Sequence, residues 1–401
     1  MKVSTVARSR NLSAISVLFR MACIAFVVLA SRGLAAQQEH PPLAIGAPAP
    51  DFCLPGIDGA THCLKEYAAS KVLVIAFICD HCPTSQLYEG RIKQLAADYS
   101  TRDVALVAIQ PNNPEAVRLD EMGYTDVGDS LDEMRIRAAF RHFNFPYLYD
   151  GENQEVSAAY GPASTPHVFI FDPARRLRYE GRVDDNIREA LVKRRDAREA
   201  IDAILAGRPV AVDKTPSIGC STKWTYKQAG REEEWKEISL KPVIVDPISA
   251  DQLRTLRSNP TGKLLLIDFW ATWCGPCRQE LGQFETMYRM YGGRAFDLVT
   301  VSINYPDERA GVLKVLTGEH ATSTNRIIDS TDIYSQLAAF DPSWNAAVPY
   351  TLLLLPGGEV AFKRQGTVDP LELKRQIIAN LADDDYMGHQ AYWKSAVEAG
   401  K

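Results

Sequence analysis

The sequence predicts an α/β protein in which one structural plan occurs twice, and three observations carry that reading. Residues 72–78 (VLVIAFI) and 264–270 (LLLIDFW) are short, nearly unbroken apolar runs, the pattern of a strand covered on both faces. A Cys-x-x-Cys pair follows each at once, Cys79-Asp80-His81-Cys82 and Cys274-Gly275-Pro276-Cys277. Far downstream, an X-Pro pair opens a further strand in each half, Thr165-Pro166-His167 before VFIF and Val348-Pro349-Tyr350 before TLLL.

The remaining elements follow in order. After each cysteine pair the apolar period turns helical, with Tyr88, Ile92, Leu95 and Tyr99 forming one stripe and Leu281, Phe284, Tyr288 and Tyr291 the other. Second strands are expected at 104–109 and 296–303, closing strands at 177–179 and 360–363, and closing helices at 187–206 and 370–381. Residues 242–257 read as the second half's first strand and helix, with Ser249 as its N-cap. Residues 207–239 mix Pro, Lys and the run Arg231-Glu232-Glu233-Glu234, so 226–240 is expected as a linker with its charges in solvent. The domains are thus placed at 40–225 and 241–385, with a tail at 386–401 that carries no signal of its own.

The first 36 residues are not expected to join the fold. Lys2, Arg8, Arg10 and Arg20 precede an apolar run at 21–30, and small residues surround Gly33, Ala35 and Ala36, the three-part form of a secretory signal. That run is too short for an ordinary span, although an uncleaved signal-anchor stays open. Arg20 stands where a lipoprotein signal needs an aliphatic residue, so Cys23 is expected to leave with the signal. An exported chain works where disulfides persist. Seven of its eight cysteines then remain, an odd number, so at least one is unpaired or shares a partner. The formal charge is -5 although the leader holds Arg32 and four other cations with no acid, so the rest sums to about -10, which argues against nucleic acid as a partner.

A cysteine at a strand-to-helix turn meets unpaired N–H groups and the positive end of the helix dipole, both of which favour the reactive thiolate. Two intervening residues keep the second sulfur close enough to resolve a mixed disulfide. Structural zinc sites use CxxC pairs 12–20 residues apart, whereas these two pairs sit in separate units, so dithiol redox chemistry is expected and no cofactor or metal is required. Cys53 and Cys63 flank the turn signal Gly56-Ile57-Asp58-Gly59 and are expected to form a structural disulfide across a hairpin.

Residues 268–277 (DFWATWCGPC), with Val348-Pro349-Tyr350-Thr351 and Gly366, resemble the thioredoxin active site, and the longer segment 304–344 resembles the extracytoplasmic thioredoxin-like reductases. That resemblance implies Cys274 as attacking thiol, Cys277 as resolving thiol, Asp268 as acceptor of the Cys277 proton, and Pro349 as the cis-proline shaping a substrate groove. Val348, Gly275 and Pro276 would line or tune that groove, and Trp273 is either an active-site flank or a packing residue.

Residues 44–225 resemble the redoxin, or peroxiredoxin-like, family through Gly46-Ala47-Pro48-Ala49-Pro50-Asp51-Phe52, residues 77–83 (FICDHCP), residues 145–150 (FPYLYD), Ser164-Thr165-Pro166-His167 and residues 219–224 (GCSTKW). The chain as a whole therefore resembles two tandem thioredoxin-fold domains. Peroxiredoxins place Thr or Ser three residues before the peroxidatic cysteine; here that position is Ala76 for Cys79 or Cys79 for Cys82. Leu73 stands where the proton-accepting acid belongs.

Dithiol exchange at Cys274/Cys277, relayed with a second site at Cys79/Cys82 either within the chain or through a partner, is the leading expectation; the partners would be protein disulfides and an electron donor. Pro166 is the first half's candidate cis-proline. A protonated His81 would favour a Cys79 thiolate and Asp80 oppose it. Cys220 is either a third redox thiol or a buried structural one. Two alternatives stay open: a thiol peroxidase in the first half, and a copper(I) module holding the ion with Cys79, Cys82 and His167.

Overall fold

The central strand of each half is wholly buried because neither exposes a polar face. In this computed structural model, which describes residues 40–383 and 385–399, the first half opens with a hairpin of β1 (Cys53–Pro55) and β2 (Thr61–Cys63). Then come β3 (Val72–Phe77), helix α1 (Pro83–Tyr99), β4 (Val104–Gln110), α2 (Leu131–Arg141), β5 (Tyr147–Tyr149), α3 (Glu155–Tyr160), β6 (Ser164–Thr165), β7 (His167–Phe171), β8 (Leu177–Gly181), α4 (Asp196–Leu205) and β9 (Cys220–Ser221). The second half comprises α5 (Gln228–Leu240), β10 (Val245–Ile248), α6 (Ala250–Ser258), β11 (Leu264–Trp270), α7 (Gly275–Tyr291), β12 (Phe296–Ser302), α8 (Arg309–Gly318), β13 (Thr324–Ile328), α9 (Ile333–Phe340), β14 (Tyr350–Leu354), β15 (Val360–Gln365), α10 (Pro370–Asn380) and α11 (His389–Ala399). The expected leader and Cys23 lie outside the described residues.

Two mixed sheets result, ordered β5-β4-β3-β7-β8 and β10-β13-β12-β11-β14-β15. In each, the central strand pairs parallel with the strand that its crossover helix delivers and antiparallel with the strand after the X-Pro bond. Alternation along β3 sends Val72, Val74 and Ala76 to one face against Tyr88, Ile92 and Leu95, and Leu73, Ile75 and Phe77 to the other against Leu148, Tyr160 and Phe169. Both sheets are thus covered on two faces, as the unbroken apolar runs require.

The two halves share detail below the level of topology. Phe77 lies opposite His167, the residue after Pro166, and Phe269 lies opposite Tyr350, the residue after Pro349; both prolines follow cis peptide bonds. The next hairpin is irregular at the same step in each, between Ile170 and Phe171 and between Leu353 and Leu354. Ser249 caps α6 as expected, accepting a hydrogen bond from the Gln252 amide.

Three expectations need correction. The closing helix of the first half starts at Asp196 rather than 187, because Lys193, Arg194 and Arg195 oppose the positive end of a helix while Asp196 and Glu199 suit it. The stretch expected as a linker is the helix α5, built from good helix formers. Its charge run docks: Arg231 Nη1 donates to the Pro114 carbonyl at 2.9 Å, and the Glu234 carboxylate accepts from the Leu119 and Asp120 amides at 3.0 and 3.3 Å. The tail is also structured, since His389, Trp393 and Ala396 form a buried helical stripe on α11.

The described residues from Pro42 onward form one unit. The loop at 119–129 sits against the far end of α7, where Tyr291 Oη donates to the Thr125 carbonyl at 2.8 Å and Arg294 Nη1 to that of Gly123 at 3.1 Å. Leu119, Met122 and Phe140 join the apolar cluster of Met287, Met290, Ile377 and Trp393. At the centre lies Arg137, fully buried, with Nε 2.9 Å from Glu89, Nη1 3.2 Å from Asp126 and Nη2 2.7 Å from Tyr392 Oη; Asp126 also holds Arg375 at 2.7 Å.

Arg137→Ala removes the one fully buried cation that Glu89 and Asp126 share, leaving them the more peripheral Arg141 and Arg375, and chemical denaturation should show a loss of about 3 kcal/mol. A loss below about 1 kcal/mol would mean that the junction does not rest on this cation.

Candidate active sites

Cys274 is the N-cap of α7, and its sulfur accepts from the Cys277 amide at 3.3 Å. Pro276 falls in the first turn, where a missing N–H costs nothing. Cys274 is joined by a disulfide to the fully buried Cys277. Beside them Trp273 is 66% exposed, so it is not a packing residue. The loop before Cys274 is held by Asn304, a residue that sequence reasoning missed. Its Oδ1 accepts from the Thr272 amide at 2.9 Å and its Nδ2 donates to Thr272 Oγ1 at 2.8 Å. Cis-Pro349 follows Val348, and its carbonyl accepts from the Gly366 amide at 2.8 Å.

Asp268 lies on β11, fully buried, directly opposite Thr351, whose hydroxyl donates to Oδ1 at 3.2 Å; Oδ2 has no hydrogen-bond partner among the described residues. Burial, with the nearby Glu280 carboxylate adding to it, pushes the Asp268 carboxyl up to about 8. It is therefore mostly protonated at neutral pH and able to exchange a proton there. Glu280, itself raised by burial, is a second acid that the sequence pattern did not flag.

The first half is built differently. Counting from the matched residues Phe77 and Phe269, Cys82 and not Cys79 occupies the position of Cys274; Ser85 takes that of Cys277 and Ala76 that of Asp268. Cys82 is accordingly the N-cap of α1, with Pro83 next to it. Cys79 sits three residues earlier, its Sγ 2.9 Å from Thr165 Oγ1 and its amide donating to Ser85 Oγ at 3.1 Å. The Cys82 Sγ lies 3.5 Å from the Thr165 carbonyl oxygen, the residue before cis-Pro166.

Cys220 arrives on β9, which pairs antiparallel with β6 so that Cys220 faces Thr165. Gly219 permits this approach: a Cβ there would stand 1.9 Å from the Thr165 carbonyl oxygen. The strand is fixed further by Thr222 Oγ1, donating to the Pro162 carbonyl at 2.6 Å, and by the Lys223 amide, donating to Asn112 Oδ1 at 2.8 Å. All three thiols are free, with Cys79 and Cys82 buried and Cys220 partly open.

Electrostatics single out one of the three. Burial opposes a charge on Cys82, yet hydrogen bonds from the Cys220 and Cys79 thiols, the His81 charge and the Ser85 amide bring it well below the usual thiol range. Burial and the neighbouring Cys82 raise Cys79, and the Cys82 sulfur with burial raises Cys220. His81 is buried, but the Asp129 carboxylate at 2.5 Å from Nδ1 raises it and so favours the imidazolium. Burial, with the Asp129 charge adding to it, raises the Asp80 carboxyl well above its ordinary range, which weakens its opposition to a thiolate.

The copper set of the sequence reading does not assemble. His167 falls on the Phe169 face of the sheet, with Nε2 2.7 Å from Glu180 and Nδ1 accepting from the Ala163 amide at 3.2 Å. Ligand-type atoms of Cys79, His81 and Asp129 do lie within 4.8 Å of one another. Both Asp129 oxygens are already engaged, by the Asp80 and His81 amides and by His81 Nδ1 and Asn112 Nδ2, so this group is satisfied internally. Cys53 and Cys63 face each other across β1 and β2 and are joined by a disulfide.

Residues 45–180 and 236–363, more than half of the chain, match the family model of AhpC/TSA. The chain belongs to the AhpC/TSA family. Among relatives, the thiol-disulfide oxidoreductase ResA of Oceanobacillus iheyensis is 29% identical over 124 residues, 30% of this chain and 60% of that protein, so the match stops short of two thirds of the relative. The sporulation thiol-disulfide oxidoreductase A of Bacillus subtilis is 25% identical over 113 residues, 28% of this chain and 66% of its own. The crystal structure of a hypothetical protein from Sinorhizobium meliloti 1021 shares 36% identity, covering 46% of this chain and 97% of that one, with a TM-score of 0.41.

This AhpC/TSA chain keeps its two sulfur sites apart. Cys274 caps one end of α7, while Tyr291 at the other end contacts Thr125, whose hydroxyl in turn donates to the Asp80 carbonyl at 3.3 Å. The 17 residues of that helix span about 25 Å. Thiol–disulfide exchange needs sulfurs in contact, so the expectation of a direct relay within the chain is not met in this arrangement.

A carboxyl raised in the folded state favours folding fully only below its unfolded pKa, and that contribution is lost as pH rises to its folded value. Stability should therefore decline between about pH 4 and pH 8 from this group. In Asp268→Asn that decline disappears, so the variant should gain on the order of a few kcal/mol over wild type by pH 8 in denaturant titrations. Parallel pH curves for the two proteins would remove the raised carboxyl from the account.

Proposed function

We propose that this chain is an exported thiol–disulfide oxidoreductase of two tandem thioredoxin-fold domains, acting on protein disulfides through Cys274 and Cys277. The observation that carries the reading is a single arrangement: a helix-capping Cys274 bonded to buried Cys277, flanked by exposed Trp273 and the cis-Pro349 loop, on a strand that carries the raised acid Asp268. The two relatives named above carry the same activity in their names.

In the reducing direction, the Cys274 thiolate attacks one sulfur of a substrate disulfide and releases the other as a thiolate. Asp268, in its ionised fraction, accepts the Cys277 proton, and the Cys277 thiolate then attacks Cys274. Asp268 returns that proton to a departing thiolate, so the substrate leaves as one thiol and one thiolate and the enzyme as the disulfide, two electrons having moved. A donor dithiol reverses these steps to restore the enzyme, so no cofactor enters. Gly275 leaves open space next to the capping cysteine, since nothing lies within 4 Å of where its Cβ would stand, and Val348 would offer its backbone to the bound substrate beside Cys274.

Export rests on the basic-then-apolar leader and agrees with the Cys53–Cys63 disulfide, a bond of oxidising compartments. No helix among the described residues is long and apolar enough to cross a membrane.

With a dithiol donor and a disulfide-bonded test protein, Cys274→Ser should reduce the rate at least a hundredfold. Cys277→Ala should accumulate a mixed disulfide that denaturing, non-reducing electrophoresis retains. A Cys274→Ser protein that keeps its rate would overturn the assignment.

A further inference from the structure

The first half contains a redox problem that its own motif does not solve. Cys82 holds the position that Cys274 holds in the second half, but the residue three further on is Ser85, whose hydroxyl cannot close a disulfide. A resolving sulfur must come from elsewhere, and two are adjacent.

Geometry separates them. Cys79 is 2% exposed, with its sulfur committed to Thr165 Oγ1 and its amide to Ser85; the next two amides, of Asp80 and His81, are both clamped by Asp129. Cys220 stands on the strand that pairs with the residue before the cis-proline, facing the same Thr165 whose carbonyl lies against Cys82. It is also the one sulfur of the three that is not fully enclosed. In the second half, no strand among the described residues pairs with Val348, the corresponding position. The first half thus fills with its own chain an edge that the second half leaves open, and the filling residue is a cysteine.

We propose that Cys82 and Cys220 form the first half's redox couple, a second thiol–disulfide site that works independently of Cys274, with Cys220 as the sulfur that meets the oxidant. The oxidant is a disulfide, written R–S–S–R. Cys220 passes its proton to the Cys82 thiolate and attacks one sulfur of R–S–S–R, forming Cys220–S–S–R and releasing a thiolate that takes the proton back from Cys82. The restored Cys82 thiolate attacks the Cys220 sulfur, forming the Cys82–Cys220 bond and releasing the second thiolate. One thiol and one thiolate of the protein become a disulfide, and R–S–S–R becomes one thiol and one thiolate.

The C-terminal segment borders this entry. Tyr386 meets the Cys220 sulfur through its hydroxyl, and His389 Nε2 lies 2.7 Å from Gln86 Oε1, while Gln86 Nε2 donates to the Asp80 carbonyl at 2.8 Å. Cys220 is only partly open and Cys82 is buried, so a small disulfide is the appropriate probe.

The test is to reduce the whole chain, expose it to oxidised glutathione, block remaining thiols, and map cysteine linkages by mass spectrometry of a non-reduced digest. The Cys53–Cys63 and Cys274–Cys277 peptides report on the other sites in the same digest, so failure here and failure of the Cys274 reading are told apart. The expected product is a Cys82–Cys220 peptide. Cys79→Ser should still form the Cys82–Cys220 linkage, and Cys82→Ser should stop with glutathione on Cys220. A Cys79–Cys82 linkage with Cys220 free, or no reaction at any of the three, would overturn the proposal, and the wild-type map alone decides this if a variant fails to fold.

Discussion

The antiparallel register between each central strand and the strand after the cis-proline is the constraint on which the rest depends. By setting Phe77 against His167 and Phe269 against Tyr350, it fixes how many residues separate the last paired position from the helix start. That spacing decides which cysteine caps the helix and so meets its unpaired amides. The same count places Asp268 in the second half where the first has Ala76, and Cys277 where the first has Ser85. Two sites with matching CxxC spacing therefore differ in chemistry, because one motif begins three residues earlier against an otherwise shared frame.

Burial then sets the working states. In the second half it acts on an acid, raising Asp268 into the range where proton exchange at neutral pH is possible. In the first half it acts on a group of sulfurs, and hydrogen bonds from the Cys220 and Cys79 thiols, with the His81 charge held by Asp129, offset it at Cys82 alone. A capping position without those partners would leave Cys82 a neutral thiol in an apolar site. The junction between halves has the same logic on a larger scale: Arg137 is tolerable inside the protein only because Glu89, Asp126 and Tyr392 reach it from different elements.

Much of this was legible in the chain. Unbroken apolar runs, the switch to helical period and the X-Pro strands give the repeated plan, and DFWATWCGPC gives the second site down to Trp273. What pattern could not give was register. Cys79 and Cys274 both look like the first cysteine of a CxxC, and only the strand pairing reveals that Cys82 is the counterpart of Cys274. Long-range partners were hidden for the same reason: Asp129, Asn304 and Glu280 carry no local motif. His167 stands next to the cis-proline in sequence, yet strand alternation turns it toward Glu180. The helices at 228–240 and 389–399 were missed because charge runs and a short terminal stripe gain their meaning from the surfaces they meet.

The account turns on Cys82, rather than Cys79, being the ionised thiol of the first half. The most direct measurement is the ultraviolet thiolate absorbance of the reduced chain at neutral pH, compared between single-cysteine variants. The account predicts that Cys82→Ser removes about one thiolate's worth of signal while Cys79→Ser leaves the signal in place. The reverse pattern, with the signal lost from Cys79→Ser and kept in Cys82→Ser, would contradict it.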